Sequence, residues 1–334
     1  MFPMVFILAV LGPGDSPSTV APVGVPQVRQ SVEKSLVFLE KEGLEWETTK
    51  CVSCHHGPWM MWSGYEAKKR GFGVNEKSLE LVRAGALKAY NTHPKLKPTN
   101  RDVLTDLSIN VIYLTFAMGA AGEPDAETAK LFDKAAAHLL EQQKDDGSWK
   151  VFIKKTNAQG VSTTFLMAPL IDSDDVTTMW ALLALNYRKP AGIPKEALDT
   201  SKAKGLKFLS DTPSAETLQS LMLRIMLNKL LGKTDEVQAL VKQLLAAQND
   251  DGGWSQAKKL KSDALGTGQA LMALNTGGKT AKDPAIAKAW GYLIKSQKPD
   301  GSWFVVSRAY EPPAFSSYMG TAWATLALVR TLPE

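Results

Sequence analysis

One phrase is written three times along this chain: Gln143-Lys-Asp-Asp-Gly-Ser-Trp149, Gln248-Asn-Asp-Asp-Gly-Gly-Trp254 and Gln297-Lys-Pro-Asp-Gly-Ser-Trp303. Each copy follows an apolar helical stretch (Ala136 to Leu140, Leu240 to Ala247, Ala289 to Ile294) and sets Trp six positions after Gln. A phrase repeated behind the same kind of helix means one supersecondary unit copied along the chain, which cannot bury its apolar face alone and must stack on its neighbours. The Gly permits a tight turn after the helix, the Asp can cap free amides, and the Trp packs the turn onto the next unit. These residues are therefore read as structural, and chemistry is sought where single copies depart from the pattern.

With Trp as a ruler, Trp46, Trp149, Trp254 and Trp303 are 103, 105 and 49 residues apart. A period near fifty accounts for this if two copies have lost their Trp, near positions 97 and 201. Six units follow, each a pair of helices. First helices are expected over about 30–42, 76–90, 125–142, 196–209, 234–247 and 284–296. Second helices are expected over about 57–70, 102–118, 175–187, 214–231, 264–275 and 317–330. The second set is the more uniformly apolar, as in Met179 to Leu185 and Thr321 to Leu328. A helix apolar on every side is buried on every side, so this set forms the inner wall. Small residues such as Gly266, Gly268, Ala270 and Ala273 let inner neighbours approach closely. Val151 to Ile153 and Phe304 to Ser307 have strand character but are short, and no strand is assigned. The expected fold is all-α, an (α/α)6 toroid over 30–334, preceded by a leader and linker over 1–29.

Gln-x-x-Asp-Gly-Ser/Gly-Trp behind an apolar helix resembles the repeat of the squalene–hopene cyclases and of the protein prenyltransferase β subunits. The resemblance covers about 30–334. It implies the toroid, but a fold does not by itself fix a function.

Composition narrows the partners. The hydrophobic share of 44% is ordinary for a sizeable core. Net charge is +5, but Lys68-Lys69-Arg70, Lys154-Lys155 and Lys258-Lys259 are scattered pairs and triplets rather than the stripe a phosphate backbone requires. Nucleic acid is not an expected partner. Met1 to Leu11 is almost wholly apolar and is broken by Gly12-Pro13-Gly14. It is too short to span a bilayer and long enough for a signal-peptide core, which implies export to a periplasmic or other extracytoplasmic space.

The first departure from the repeat is Cys51-Val-Ser-Cys54-His55. C-x-x-C-H is the attachment signature of c-type haem: two thiols form thioethers and the adjoining imidazole binds iron. The motif uses both cysteines of the chain. Cys51 and Cys54 are thus candidate covalent anchors and His55 the proximal ligand. His93 is the preferred sixth ligand, with Met167, Met118 and His138 less well placed. A Cys51–Cys54 disulfide, or a metal held by both thiols and one His, are the competing readings.

The second departure is Asp172-Ser-Asp174-Asp175. Aligning Trp62 with Trp180, an offset of 118, sets Cys54 opposite Asp172 and His56 opposite Asp174, so both motifs fall in the loop leading into an inner helix. This stretch resembles the Asp-x-Asp-Asp motif of class II terpenoid cyclases. That resemblance implies that the middle acid, Asp174, protonates an alkene or epoxide beside Asp172 and Asp175. Crowded carboxylates in a low-dielectric cavity cannot all ionise. Against it, aromatic content is only 8% and many Trp residues are committed to turns; an Asp-rich helix cap is the plainer alternative. The prenyltransferase zinc site is less well matched, since its thiol is absent and Asp174 stands in its place.

The favoured expectation is an exported toroid carrying one covalent haem c, acting in electron transfer with a redox partner protein or a small apolar ligand, with room for association with a membrane surface. The alternatives are a cyclase-like enzyme without a redox cofactor, and a non-catalytic binding toroid with a Cys51–Cys54 disulfide.

Overall fold

The computed structural model describes residues 23–49, 56–92, 107–150, 153–156, 162–165, 172–187, 190–308 and 313–333. Among these, twelve α-helices follow one another as six pairs. The first members are α1 (Val25–Thr49), α3 (Glu76–Thr92), α5 (Ala126–Gln142), α7 (Lys195–Asp211), α9 (Thr234–Ala246) and α11 (Pro284–Ser296). The second members are α2 (His56–Lys69), α4 (Leu107–Ala120), α6 (Asp174–Tyr187), α8 (Leu218–Leu230), α10 (Ala264–Thr276) and α12 (Pro313–Thr331). Second members pack on one another in the order α2, α4, α6, α8, α10, α12 and back to α2, which closes the ring. The fold is the all-α toroid that the repeat implies.

The inner wall is buried throughout. Every residue from Asp175 to Leu185 of α6 and from Ala264 to Leu274 of α10 is buried. Outer helices bury one stripe; α11 covers only Ile286, Ala289, Trp290 and Leu293. Inner neighbours α10 and α12 approach closely, and a Cβ on Gly268 would lie 2.6 Å from the Trp323 carbonyl carbon.

The three repeat phrases make the same bonds. The Gln side-chain amide donates to the carbonyl four residues ahead and to a carbonyl in the next outer helix: Gln143 to Gly147 and Ser201, Gln248 to Gly252 and Ala285, Gln297 to Gly301 and Ser31, all at 2.9–3.0 Å. The indole N–H of Trp149, Trp254 and Trp303 donates to Leu139, Leu244 and Leu293, and their backbone N–H groups donate to Thr178, Thr267 and Thr321 on the next inner helix. Asp146, Asp251 and Asp300 each accept the amide two residues on. Gly147, Gly252 and Gly301 sit at φ of 88°, 87° and 88°, a region that side chains with a Cβ rarely adopt.

Three expectations need correction. Trp46 lies inside α1 rather than in a turn; its phrase has no Asp-Gly, and Gly43 packs flat against Met60 instead of reversing the chain. Position 201 lies within α7, because additional residues in the third unit lengthen the Trp spacing. Those residues hold the third correction: β1 (Ile153–Thr156) pairs antiparallel with β2 (Ser162–Phe165), in register Ile153 to Phe165 and Thr156 to Ser162. A short β-branched run becomes a strand when a partner saturates its backbone, whatever its length. The segment after Trp303 finds no such partner.

Candidate functional site

All inner helices begin at one rim, and the buried Asp172, Asp175 and His56 lie there. Helices α2 and α6 begin 118 residues apart, at His56 and Asp174. The Asp side chains of the second departure have three different surroundings. Asp174, in the first turn of α6, meets Lys150 at 3.1 Å with a quarter of its side chain exposed. Asp175 is buried and accepts from the Ala215 N–H at 3.1 Å, the Ser220 hydroxyl at 2.8 Å and the Ser173 hydroxyl. Asp172 is buried as well: its side chain is 2% exposed, Oδ1 accepts from Arg308 at 2.5 Å, and Oδ2 is buried with no hydrogen-bond partner.

Arg308 precedes α12, which stands opposite α6 in the ring, so this ion pair crosses the mouth of the toroid. The pair is part of a longer chain. Arg308 donates through Nε to Gln256 at 2.7 Å, and Gln256 donates to Asp263 at 2.6 Å. Asp263 in turn caps α10 through the Gly266 N–H at 2.8 Å. Burial pushes the Asp172 carboxyl above the ordinary carboxylate value; Arg308 and the Thr217 hydroxyl pull it back, and Asp175 adds repulsion. Asp263 is raised for the same first reason.

Below the rim, six aromatic rings meet across the centre of the toroid: Trp59 and Trp62 from α2, Tyr113 and Phe116 from α4, Trp180 from α6 and Trp323 from α12. Centroid separations run from 4.9 Å (Trp59–Tyr113) to 6.2 Å (Trp180–Trp323), the latter joining opposite walls. The shortage of uncommitted aromatics expected from the sequence is thereby corrected: three of the nine Trp serve repeat turns, and four line the ring's centre. The indole N–H groups of Trp59, Trp62 and Trp180 are buried without a partner. Burial pushes the Tyr113 hydroxyl up, and the charge of Asp172 adds to that shift, so the carboxylate and the aromatic cluster share one electrostatic environment. A cleft of about 730 Å³ opens at the same rim, lined by Ala215, Thr217, Leu218, Leu221 and Trp254.

Cys51, Cys54, His55, His93 and Met167 lie outside the described residues, as does the apolar N-terminal stretch. The neighbour of the first motif is well defined. The His56 ring stacks between Trp46 (4.0 Å) and Tyr318 (3.8 Å), and the Tyr318 hydroxyl lies 3.0 Å from the His56 carbonyl. Met118 ends α4 in the core, and His138 on outer helix α5 sits 3.5 Å from the Ser108 hydroxyl. Among the described residues no three His, Cys, Asp or Glu side chains converge as a metal-ligand set, and no helix is long and apolar enough to cross a membrane. Sequence reasoning missed Arg308, Gln256 and Asp263. Nothing in their local sequence marks them; only ring closure brings them to Asp172.

Comparison with known proteins places the chain among toroids of related build. Residues 206–332 match the squalene-hopene cyclase C-terminal domain. A stretch of 60 residues is 38% identical to drimenyl diphosphate synthase of Streptomyces showdoensis, spanning 18% of this chain and only 11% of that enzyme. The type II terpene cyclase MstE from Scytonema superimposes with a TM-score of 0.59 at 14% identity, over 91% of this chain and 98% of that one. A variant of MstE bound to geranylgeranyl dihydroxybenzoate gives 0.58 at 14% identity, over 92% and 97%. A polysaccharide lyase gives 0.56 at 12% identity, over 90% and 97%. The terpene cyclases share the toroid with this chain, and so does an enzyme of different chemistry.

Proposed function

We propose that this chain is an isoprenoid-cyclase-like enzyme, in which a carboxylic acid at the rim protonates an alkene or epoxide of a polyprenyl substrate held at the mouth of the ring. The observation that carries this reading is the pairing of a buried carboxyl, Asp172, with a bed of aromatic rings from four inner helices. A carboxyl kept from water stays protonated and so is available as a general acid, and the π faces of Trp and Tyr stabilise the cation that follows. The match of residues 206–332 to a cyclase domain supports the same chemistry. The test is incubation with squalene and with polyprenyl substrates, followed by analysis for cyclic products. A variant with Asp172, Asp174 and Asp175 all changed to Asn serves as control. Absence of any cyclic product from the wild type overturns the proposal.

A second reading keeps covalent haem c on Cys51 and Cys54, with His55 as proximal ligand and His93 as sixth. One specific feature favours it. His56, the residue after the motif, is clamped between Trp46 and Tyr318 at the start of α2, so in this reading the ligand role falls to His55. Two thiols and an imidazole are the donor set that haem c requires, and the haem would supply one-electron chemistry. Mature protein made with haem-maturation machinery then shows a c-type absorbance spectrum and the mass of one haem; a colourless product of bare-polypeptide mass rejects it.

A further inference from the structure

We infer that Asp172, gripped from the opposite wall by Arg308, holds the transferable proton of this rim on its Oδ2, and that Asp174 and Asp175 serve the start of α6 instead. This assignment rests on the cyclase reading and departs from the position that the motif's middle carboxylate would occupy.

The three carboxyls differ in what their oxygens are already doing. Asp175 has both oxygens occupied: Oδ2 by the Ala215 N–H and the Ser220 hydroxyl, Oδ1 by the Ser173 hydroxyl. Its work is to tie the start of α6 to the start of α8. Asp174 faces outward to Lys150, which also bonds Asp146 at 3.0 Å. Asp172 alone has one oxygen fixed and the other unused. Arg308 holds Oδ1, which sets the orientation of the carboxyl, while Oδ2 is buried and makes no hydrogen bond. An anionic oxygen left so is costly, whereas a protonated one is an O–H group ready to be given away.

The groups facing Asp172 come from every neighbouring wall: Arg308 before α12, Thr217 at the start of α8, Asp175 on its own helix and Tyr113 from α4. Arg308 is itself braced by Gln256, so the grip is not a free side chain's. In the step, the Asp172 Oδ2–H bond breaks and a C–H bond forms at the less substituted carbon of the alkene. A tertiary carbocation remains on the substrate, and a carboxylate remains paired with Arg308. After ring closure a carbon-bound proton is lost to water, and solvent returns a proton to Asp172. No electrons are gained or lost overall. Arg308 is a positioning residue: it stabilises the carboxylate that the step leaves behind, which makes the acid stronger once the proton is in place.

Infrared difference spectroscopy of the full chain without substrate tests this. Wild type shows a protonated carboxyl C=O band at neutral pH that shifts on hydrogen–deuterium exchange. The band is lost in Asp172→Asn, moved in Asp172→Glu and kept in Asp174→Asn; Arg308→Gln shifts its titration to higher pH. Where turnover is found, Asp172→Asn lowers it by about 10²–10⁴-fold, the usual contribution of a positioned acid. If no component of the band is lost on Asp172→Asn, or if the component that Asp172→Asn removes is also lost in Asp174→Asn, the assignment is overturned; a residual component from the likewise raised Asp263 does not bear on it. A band that behaves as described in a protein giving no cyclic product leaves the assignment standing and sinks the cyclase reading instead.

Discussion

The side-chain amide of Gln297 at the end of α11 donates to the carbonyl of Ser31 in α1 at 2.9 Å, across 266 residues of sequence. The same amide bonds Gly301, whose backbone is pressed so closely on α1 that an added Cβ would lie 2.2 Å from the Lys34 carbonyl oxygen. The third repeat phrase is thus the clasp that joins the last unit to the first. Gln297→Leu leaves two carbonyls short of a donor and is expected to cost about 1–3 kcal/mol in denaturant unfolding. Gly301→Ala adds a left-handed backbone strain to the overlap and is expected to cost about 2–4 kcal/mol. A loss below a few tenths of a kcal/mol in both would mean that the ring is held shut elsewhere.

The raised Asp172 carboxyl gives stability a definite pH dependence. Its folded value lies above its unfolded value, so the folded state binds the proton more tightly between the two. This group's contribution is full below the ordinary carboxylate range and is lost as pH rises through the folded value. Asp263 acts in the same direction. In Asp172→Asn the decline between acid and neutral pH is therefore shallower, although not abolished. Thermal unfolding of both proteins across that range checks the slope; equal slopes would show that Asp172 is not the source.

Removing Arg308 acts on the same group from the other side. Arg308→Gln leaves a charged Asp172 without its partner, and the expected cost is about 1–3 kcal/mol where the carboxyl is ionised. The cost shrinks in acid, where the carboxyl is neutral. Chemical denaturation at two pH values, one on each side of the folded midpoint, reads the difference; a cost independent of pH would point to lost packing of the guanidinium alone.

Trp180 and Trp323 meet from opposite walls at 6.2 Å, and both are fully enclosed. Truncation of either to Ala is expected to cost about 3–5 kcal/mol. The more informative change is Trp180→Phe, which keeps a ring, removes one unpartnered indole N–H and is expected to stay within about 2 kcal/mol of wild type. Urea titration followed by circular dichroism measures both.

The sequence by itself determined the ring. Gln, Asp, Gly and Trp at fixed spacing make bonds within one turn and to the next helix, and an inner helix apolar on all sides has only one place to go. These are local facts, readable from neighbours in the chain, and they put all twelve helices in order. Local reading failed where the phrase was imperfect, at Trp46, and where a strand needed a partner, at Ile153 to Thr156. The carboxylate motif was visible as a motif, but not the separate roles of its members. Asp172, Asp174 and Asp175 lie within three positions of one another in sequence, while a helix start turns each toward different neighbours. Only tertiary structure decided which of them meets Arg308, because Arg308 and the Gln256 that braces it arrive from units more than 80 residues away. The same holds for the aromatic centre: Trp59, Tyr113, Trp180 and Trp323 are ordinary core residues on four separate helices until closure of the ring brings their faces together.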